Sequence, residues 1–406
     1  MLLEFSVKNF RCFQNKVTFS FEAIDDMPEA WLTQPQSRCL ASPQSPNIQL
    51  NTVNAIYGVN ASGKSSLLIA LFHFFSIIIA SRKLTENDSF VLDYFDETQP
   101  AEFEIVYLLT IDEQVKRYRY TAHFQGTTPN DATVVFEALI DESDEVHPVL
   151  CFKRDPSGKV QTEVFFSKDQ LDVLTEDLQP KHLILSQPFS KLAKHRALFA
   201  FDSNHFVDVV DYSFSLADAL KLLEQPELKS LLLSEMKNAI QDIVNCEVQF
   251  QDAKSLHQDK NAFDIIFTHQ RGKYQQTLPL NKQSDGTRKY FRLLLNILPN
   301  LLKTGGLYVV DELECTLHPH LALRIIELFK NPETNPKRAR LLFSTHDSMF
   351  MHPQILQGDQ IWLFTRDENG DTKLNCLADY TNFNPFDAQL DYMHGVYSRV
   401  PGIEGW

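Results

Sequence analysis

Residues 58–65 read Gly-Val-Asn-Ala-Ser-Gly-Lys-Ser and fit the phosphate-binding pattern G-x-x-x-x-G-K-[ST] at every fixed position. They lie between an apolar run at 53–57, typical of a strand, and a helical pattern at 66–80. Glycines let such a loop wrap a phosphate, while loop N–H groups and the helix N-terminus favour the anion. Lys64 adds a positive charge, and the Ser65 hydroxyl can bind Mg²⁺. An ordinary glycine turn before a helix is the alternative. The candidate phosphate-binding residues of the loop are Gly58, Asn60, Ala61, Ser62, Gly63, Lys64, Ser65 and Ser66.

A second stretch, residues 307–312, carries two adjacent carboxylates. Its apolar run Leu-Tyr-Val-Val has the length of a strand and ends in Asp311 and Glu312. This pattern places both acids at the C-terminal edge of a parallel sheet, where such folds bind ligands. Asp311 is a candidate Mg²⁺ ligand, and Glu312 is a candidate catalytic residue that orients or deprotonates water. An acidic pair at the surface end of a strand is the alternative, and the phosphate-binding loop upstream argues against it.

Ser284, Asp285, Gly286 and Thr287 precede a helical pattern at 288–302. A serine–glycine turn at a helix N-terminus directs a hydroxyl, N–H groups and the helix dipole to one point, which suits a phosphate. The same four residues also suit an ordinary helix cap. Their position just upstream of the two carboxylates favours phosphate binding.

His346 follows an apolar strand pattern at 340–343 and stands in the sequence Ser-Thr-His-Asp. A histidine at a strand end beside a phosphate site can contact the γ-phosphate and the attacking water. With Lys64 and Glu312 it forms the candidate catalytic set. A single histidine is more often structural, so His346 gains significance from its place in this ordered series.

The composition describes an ordinary globular chain of 406 residues, with 43% hydrophobic and 22% charged residues. The net charge of −15 disfavours wholesale electrostatic binding to DNA or to anionic membranes. Six scattered cysteines without a C-x-x-C pair suit a reducing compartment. No signal-peptide pattern is present, and the most apolar run, 67–80, is too short to span a bilayer. We therefore expect a cytoplasmic protein without a membrane partner.

The remaining pattern predicts an α/β protein with an antiparallel β subdomain, since strand-like segments alternate between residues 101 and 166. An inserted lobe is predicted to be mainly helical, with helices at 216–223 and 227–244. No sustained heptad repeat is present, so no long coiled coil is expected. The predicted segments are 1–80, the N-terminal part of the nucleotide-binding core, called the head below; 81–167, the β subdomain; 168–280, the helical lobe; and 281–406, the C-terminal part of the head.

Along the chain, the phosphate-binding loop is followed by the serine–glycine turn, the strand that ends in Asp-Glu and the strand-end histidine. Motifs in this order resemble those of the ABC-type ATPases related to the SMC, Rad50 and RecF proteins. They resemble the bacterial AAA15, or OLD-like, ATPases more closely. The resemblance covers both ends of the chain and is loose over residues 81–280. The stretches that carry it are FSVKNFRCF (5–13), GVNASGKSSL (58–67), SDGTRK (284–289), DELECTLHPHL (311–321), STHD (344–347) and DQIW (359–362).

The resemblance implies an ABC-type ATPase head that hydrolyses ATP with Mg²⁺ and works as a homodimer or higher oligomer. ATP would lie between the phosphate-binding loop of one subunit and the turn at 284–287 of the other. Arg11 would join the ATP-binding residues, and Ser65 and Asp311 would hold the metal. The residues that would act in cis are Lys64, Ser65, Asp311, Glu312 and His346.

Members of the resembled family often belong to phage-defence or toxin–antitoxin modules. The leading hypothesis is therefore an ATP-hydrolysing regulatory subunit that controls a separate effector, a nuclease or a toxin. The sixty or so residues after His346 offer no obvious space for a fused nuclease domain. The alternative is a RecF-like DNA-repair ATPase that binds DNA directly, which the acidic net charge disfavours. A self-contained nuclease or toxin is a third class, for which the sequence shows no separate metal or acid–base cluster.

Overall fold

The structure is a computed structural model that describes most of the chain. The described residues are 1–24, 38–42, 45–80, 94–126, 133–163, 165–178, 182–187, 190–199, 206–207, 223–250, 263–367, 369–380 and 384–397. They divide into two compact units. Unit 1 comprises residues 1–202 and 342–406, and unit 2 comprises residues 203–341.

Strands and helices are numbered here in chain order. The strands are β1 (Leu2–Lys8), β2 (Val17–Ser20), β3 (Arg38–Ser42), β4 (Ser45–Asn51), β5 (Val53–Tyr57), β6 (Ala101–Ile111), β7 (Gln114–Gln125), β8 (Thr133–Asp141), β9 (Val149–Arg154), β10 (Val160–Gln161), β11 (Phe206–Val207), β12 (Ile243–Phe250), β13 (Phe263–Arg271), β14 (Tyr274–Pro279), β15 (Leu307–Val310), β16 (Arg340–Ser344), β17 (Ile361–Arg366) and β18 (Thr372–Cys376). The helices are α1 (Lys64–Ala80), α2 (Lys168–Asp177), α3 (Ser190–Phe199), α4 (Pro226–Ala239), α5 (Asp285–Pro299), α6 (Pro319–Lys330) and α7 (Ala388–Met393).

Unit 1 contains a seven-stranded antiparallel sheet in the order β10-β9-β8-β7-β6-β1-β2. Side chains alternate between its two faces, as the period of a strand requires. One face packs on α1, where the ring of Phe74 stacks on those of Phe103 at 5.2 Å and Tyr120 at 5.8 Å. The sheet therefore supports the helix that follows the phosphate-binding loop.

In a second group of strands, β5 lies between β16 and β17. Every residue of β5 is buried, as expected for a central strand, and β17 runs parallel to it with Leu363 opposite Tyr57. The side chain of Gln360, from the DQIW stretch, donates to the carbonyl oxygen of Val53 at 3.1 Å. The DQIW stretch thus holds the first residue of β5 in place. The phosphate-binding loop begins where this buried strand ends.

Unit 2 contains the antiparallel sheet β12-β13-β14, on which α5 packs with the rings of Phe267 and Phe291 4.9 Å apart. Its strand β15 is paired in parallel with β11. The predicted helix at 227–244 is too long, because α4 ends at Ala239 and β12 begins at Ile243. Residues 216–222 of the other predicted helix lie outside the described residues.

The predicted fold class is confirmed, because the chain has an α/β fold with an antiparallel β subdomain. The lobe differs from a purely helical one, since β12, β13 and β14 belong to it. Within the described ranges, the longest helix is α1 with 17 residues, so these ranges hold no long coiled coil. No described helix combines the length and apolar character needed to cross a bilayer.

His195 on α3 is fully buried and shares a 2.7 Å hydrogen bond with the hydroxyl of Tyr107 through Nδ1. Its Nε2 is buried and has no hydrogen-bond partner within the described part of the chain. An imidazolium ion needs acceptors for two N–H groups, and this site offers one. Burial accordingly lowers the pKa of His195 from 6.5 to about 4.

His195 should make the stability of the protein depend on pH. Between the folded pKa near 4 and the unfolded value of 6.5, the unfolded chain binds more protons. The stabilisation is present above the unfolded pKa and is lost as the pH falls toward the folded one. We expect His195 to account for a loss of up to about 3 kcal/mol in the free energy of unfolding over this window, measured by urea denaturation.

The variant His195→Gln removes this titration and should flatten the dependence of the free energy of unfolding on pH. His147→Gln is the matched control, because the side chain of His147 is 81% exposed. An unchanged pH dependence in His195→Gln would contradict the assignment.

Candidate functional site

The phosphate-binding loop follows β5 directly and has an open, left-handed path. Gly58, Ala61 and Gly63 have φ angles of +151°, +60° and +115°. The N-terminus of α1 then begins at Lys64, with no acidic residue in its first turn. Successive N–H groups and an uncompensated helix N-terminus make this loop suitable for an anion.

Lys64 is 6% exposed, and its ammonium group folds back over the loop. Nζ donates to the carbonyl oxygens of Gly58 at 2.7 Å and Val59 at 3.2 Å. The positive charge is thereby held at the centre of the loop. Asn60 and Ala61 are exposed, whereas Ser65 and Ser66 are half-buried in the first turn of α1.

Two glycines of the loop are in contact with side chains of other elements. A Cβ atom on Gly63 would lie 2.8 Å from the ring of Phe13 and 3.1 Å from Sγ of Cys12. A Cβ atom on Gly58 would lie 2.9 Å from Cβ of Phe364. Because such separations are too short for carbon atoms, only glycine allows the loop to lie this close to its supports.

Arg11 lies in the tight turn that brings Cys12 and Phe13 to the loop. Its φ angle is +50°, and its guanidinium carbon is 5.7 Å from the centre of the Phe10 ring. Burial raises the pKa of the Cys12 thiol, although a hydrogen bond with Ser66 and the charge of Arg11 oppose that shift. The structure thus places Arg11 in the turn that contacts the loop through Cys12 and Phe13.

His346 and the loop lie in the same unit. The backbone N–H of Thr345 donates to Ile56 at 3.1 Å, and the hydroxyl of Tyr57 donates to the carbonyl oxygen of Asp347 at 2.9 Å. Thr345 is buried and Asp347 caps the next turn, while His346 between them is exposed. Unit 1 therefore brings the histidine turn next to the end of β5.

The short helix α7 also reaches this region. The ring of Tyr392 packs edge-on against that of Tyr57, with centres 5.5 Å apart. Burial raises the pKa of Tyr392, while an interaction of its hydroxyl with the backbone N–H of Gly58 opposes that shift. Gln389 donates to Ser348 at 3.4 Å. This helix, which the sequence did not single out, contacts both the loop and the histidine turn.

Asp311 and Glu312 follow the buried strand β15 in unit 2. Asp311 is half-buried and Glu312 is exposed. Glu312 and Thr316 have φ angles of +49° and +62°, which are uncommon for residues with side chains and often occur at functional sites. The carbonyl oxygen of Glu312 accepts from the N–H of Cys315 at 2.9 Å and from Nζ of Lys289 at 3.2 Å.

The turn at 284–287 lies beside these carboxylates. The hydroxyl of Ser284 accepts from the N–H of Thr287 at 3.2 Å, so Ser284 caps α5. A Cβ atom on Gly286 would lie 2.8 Å from the carbonyl oxygen of Thr316. The two segments are therefore in backbone contact within unit 2. Asp285, in the first turn of α5, pairs with Arg288.

A pocket of about 360 Å³ in unit 2 lies where these two segments meet. This volume is in the usual range for ligand pockets. Its lining combines three acidic and three basic side chains, which suits a charged ligand. The lining residues are Asp285, Arg288, Lys289, Arg292, Asp311, Glu312, Cys315 and Thr316.

Ser65 and Asp311 provide the kinds of oxygen atom that Mg²⁺ prefers. They lie in different units. The described residues contain no group of three or more His, Cys, Asp or Glu side chains that could hold a metal ion. Mg²⁺ is usually held by one or two protein oxygens together with substrate phosphates and water.

The predicted site residues thus fall into two groups. Unit 1 brings together Arg11, the loop at 58–66 and His346, and unit 2 brings together the turn at 284–287 with Asp311 and Glu312. Sequence reasoning did not single out Tyr392, Lys289 or Arg366, a β17 residue that contacts the loop. The Arg-Lys pair within SDGTRK was a local signal for Lys289, whereas the other two carry no recognisable motif.

The family model described as "AAA domain, putative AbiEii toxin, Type IV TA system" matches residues 53–351. The chain belongs to this family. It is thereby a P-loop ATPase by class, with a family description that refers to toxin–antitoxin systems. The matched range contains both groups of predicted residues except Arg11, and it also leaves out Arg366 and Tyr392.

Comparison with curated proteins gives no match. Among solved structures, the chain is similar to three SMC head domains at 13–14% identity, with 92% of this chain covered. They are an SMC head bound to the C-winged helix domain of ScpA (TM-score 0.46, 96% of that chain), the SMC head domain from Thermotoga maritima (0.42, 98%), and an SMC head with an extended coiled coil bound to the C-terminal domain of ScpA derived from Pyrococcus furiosus (0.45, 95%).

The contact between Gly286 and Thr316 in this AAA-family chain predicts an unusual result for Gly286→Ala. Alanine normally stabilises a helix relative to glycine by up to about 1 kcal/mol. Here the added methyl group meets a backbone carbonyl oxygen, so the free energy of unfolding should instead fall by about 1–3 kcal/mol. Chemical denaturation measures the change.

Arg292→Ala is the control, because it places alanine at an exposed position of the same helix. It should change the free energy of unfolding by no more than about 0.5 kcal/mol. A Gly286→Ala protein as stable as the parent would show that the two segments are not in tight contact.

Proposed function

We propose that this chain binds ATP with Mg²⁺ and hydrolyses it as an ABC-type, OLD-like ATPase. It acts as a homodimer or higher oligomer in a bacterial toxin–antitoxin or anti-phage defence system and controls a separate effector. The observation that carries the proposal is the loop at 58–65. It combines a left-handed backbone path, a centrally held Lys64 and an uncompensated helix N-terminus.

The phosphate-binding loop supports the proposed binding of ATP. The ammonium group of Lys64 lies on carbonyl oxygens of the loop itself, at Gly58 and Val59. A bound triphosphate offers this group stronger acceptors than neutral carbonyls, because charge-assisted hydrogen bonds are about twice as strong as neutral ones. N–H groups from the first turn of α1 and the Ser65 hydroxyl complete the set of donors and metal ligands.

The carboxylates account for the proposed hydrolysis. Asp311 would hold Mg²⁺, which neutralises charge on the phosphates when bound. Glu312 would orient the attacking water and accept its proton, while His346 would contact the γ-phosphate. In the proposed dimer, Ser284 and Gly286 of the partner subunit would close the site over ATP.

The effector part of the proposal is supported by the family description, which names a toxin–antitoxin system. The net charge of −15 supports a protein partner more than a nucleic acid, because a DNA-binding surface is normally basic. The effector would be a nuclease or a toxin on a separate chain.

Glu312→Gln should lower ATP turnover by about a hundredfold or more, since the amide cannot accept the proton of water. The dissociation constant for ATP should change by less than about threefold, because the substitution leaves phosphate binding intact. Phosphate release measures turnover, and titration with a fluorescent ATP analogue measures binding.

The control is Glu333→Gln, which makes the same chemical change at an exposed turn of unit 2. It should retain parental turnover. Full hydrolysis by Glu312→Gln would refute the role of Glu312, and an unmodified chain that neither binds nor hydrolyses ATP would refute the whole proposal.

The effector part has its own test, a pull-down from the native host with Glu312→Gln and ATP. We expect one specific partner that is lost when ATP is omitted, and recovery of no specific partner would contradict control of an effector. ATPase activity that DNA stimulates with a steep salt dependence would instead favour a DNA-repair role.

A further inference from the structure

The end of β17 supports the phosphate-binding loop at two points. Phe364 and Arg366 are two residues apart, so they lie on the same face of the strand. Phe364 contacts the loop at Gly58. Nη2 of Arg366 donates to the carbonyl oxygen of Ala61 at 3.3 Å. This second contact places a guanidinium group directly on the exposed side of the loop.

No acidic side chain among the described residues forms an ion pair with Arg366. Within the described residues, the carbonyl oxygen of Ala61 is the one hydrogen-bond acceptor of its guanidinium group, which has five N–H donors. The adjacent carboxylate of Asp367 is engaged by Lys373, whose Nζ lies 3.1 Å away. Arg366 therefore presents an exposed cation with several N–H groups that no described residue accepts.

Arg366 and Arg11 both act on Cys12, a residue that contacts the loop. The positive charges of both favour the ionised form of Cys12, although burial raises the pKa of this thiol overall. Sγ of Cys12 lies 3.1 Å from the position of a Cβ atom on Gly63. Both positive charges thus act on Cys12, and Cys12 belongs to the turn that contacts the loop at Gly63.

We propose that Arg366 is a nucleotide-binding residue whose guanidinium group contacts the polyphosphate of the bound nucleotide. One N–H group stays on Ala61 and holds the loop, while the remaining donors face the anion. A guanidinium group suits this task because its planar set of donors matches phosphate oxygens. The inference rests on the proposed function, and it assigns to the site a cation that lies outside the matched family range.

The test compares the parental protein with Arg366→Gln and Arg366→Lys. Glutamine retains an N–H donor that can reach a carbonyl oxygen but removes the charge, whereas lysine retains the charge without the planar fork. Dissociation constants for ATP, ADP and adenosine are measured by competition with a fluorescent nucleotide, at low and at high salt. Lys159→Gln is the matched control, because it removes one exposed positive charge from another hairpin of unit 1.

In Arg366→Gln, the dissociation constants for ATP and ADP should rise by about tenfold, as expected for loss of a hydrogen bond to a charged group. The salt dependence of ATP binding should weaken, because fewer ionic contacts remain. Adenosine binding and the melting temperature should stay unchanged. Arg366→Lys should fall between the parent and Arg366→Gln, and Lys159→Gln should match the parent.

Two results would overturn the inference. ATP binding by Arg366→Gln within about twofold of the parent would show that the charge is not used. An equal loss of ATP and adenosine binding would show that Arg366 only supports the loop. In both cases the parental protein binds ATP, so the proposed function stands. A parental protein that binds no ATP would overturn the inference and the proposed function together.

Discussion

Close contact between aromatic side chains and glycine backbone is the constraint on which the unit 1 half of the site depends. The side chain of Phe13 packs against Gly63, and that of Phe364 packs against Gly58. Their rings stack on each other with centres 5.7 Å apart, so one aromatic pair supports both ends of the loop. Without such support, the loop would sample many backbone conformations, because holding it in one conformation costs entropy. Such support lowers the cost of ordering the loop around a phosphate.

The two units carry complementary chemistry. Unit 1 offers cations and N–H groups, from Lys64, Arg366 and the start of α1, which suit binding of a polyphosphate. Unit 2 offers the carboxylates that suit a metal ion and a water molecule, Asp311 and Glu312. The proposed reaction uses both sets of groups.

Those parts of the candidate site that consist of consecutive residues could be predicted from the sequence. The loop at 58–65, the acids after β15 and His346 each follow a buried strand, and an apolar run that ends in polar residues is visible without the fold. Gly286 was singled out for phosphate binding, whereas the structure adds a second reason for glycine, its contact with Thr316. Such a contact between segments has no signature in a single sequence.

Other features depend on tertiary packing and could not be predicted. Arg366 reaches Ala61 because β17 lies beside β5, and that pairing joins distant parts of the chain. Tyr392 contacts Tyr57 and Gly58 because α7 packs beside the end of β5, and these segments are also distant in the chain. The boundary between α4 and β12 was missed because the helical pattern at 227–244 continues across Ile243, where pairing with β13 favours the strand.

The central claim, that ATP is bound between the loop of one subunit and the serine–glycine turn of another, is tested most directly by mixing two inactive variants. Lys64→Ala damages the loop, and Ser284→Arg blocks the turn. In a mixed dimer, one site carries both defects and the other carries neither. Random mixing should therefore restore about a quarter of parental ATP turnover. Mixed dimers that form but hydrolyse no more ATP than either variant alone would contradict the account.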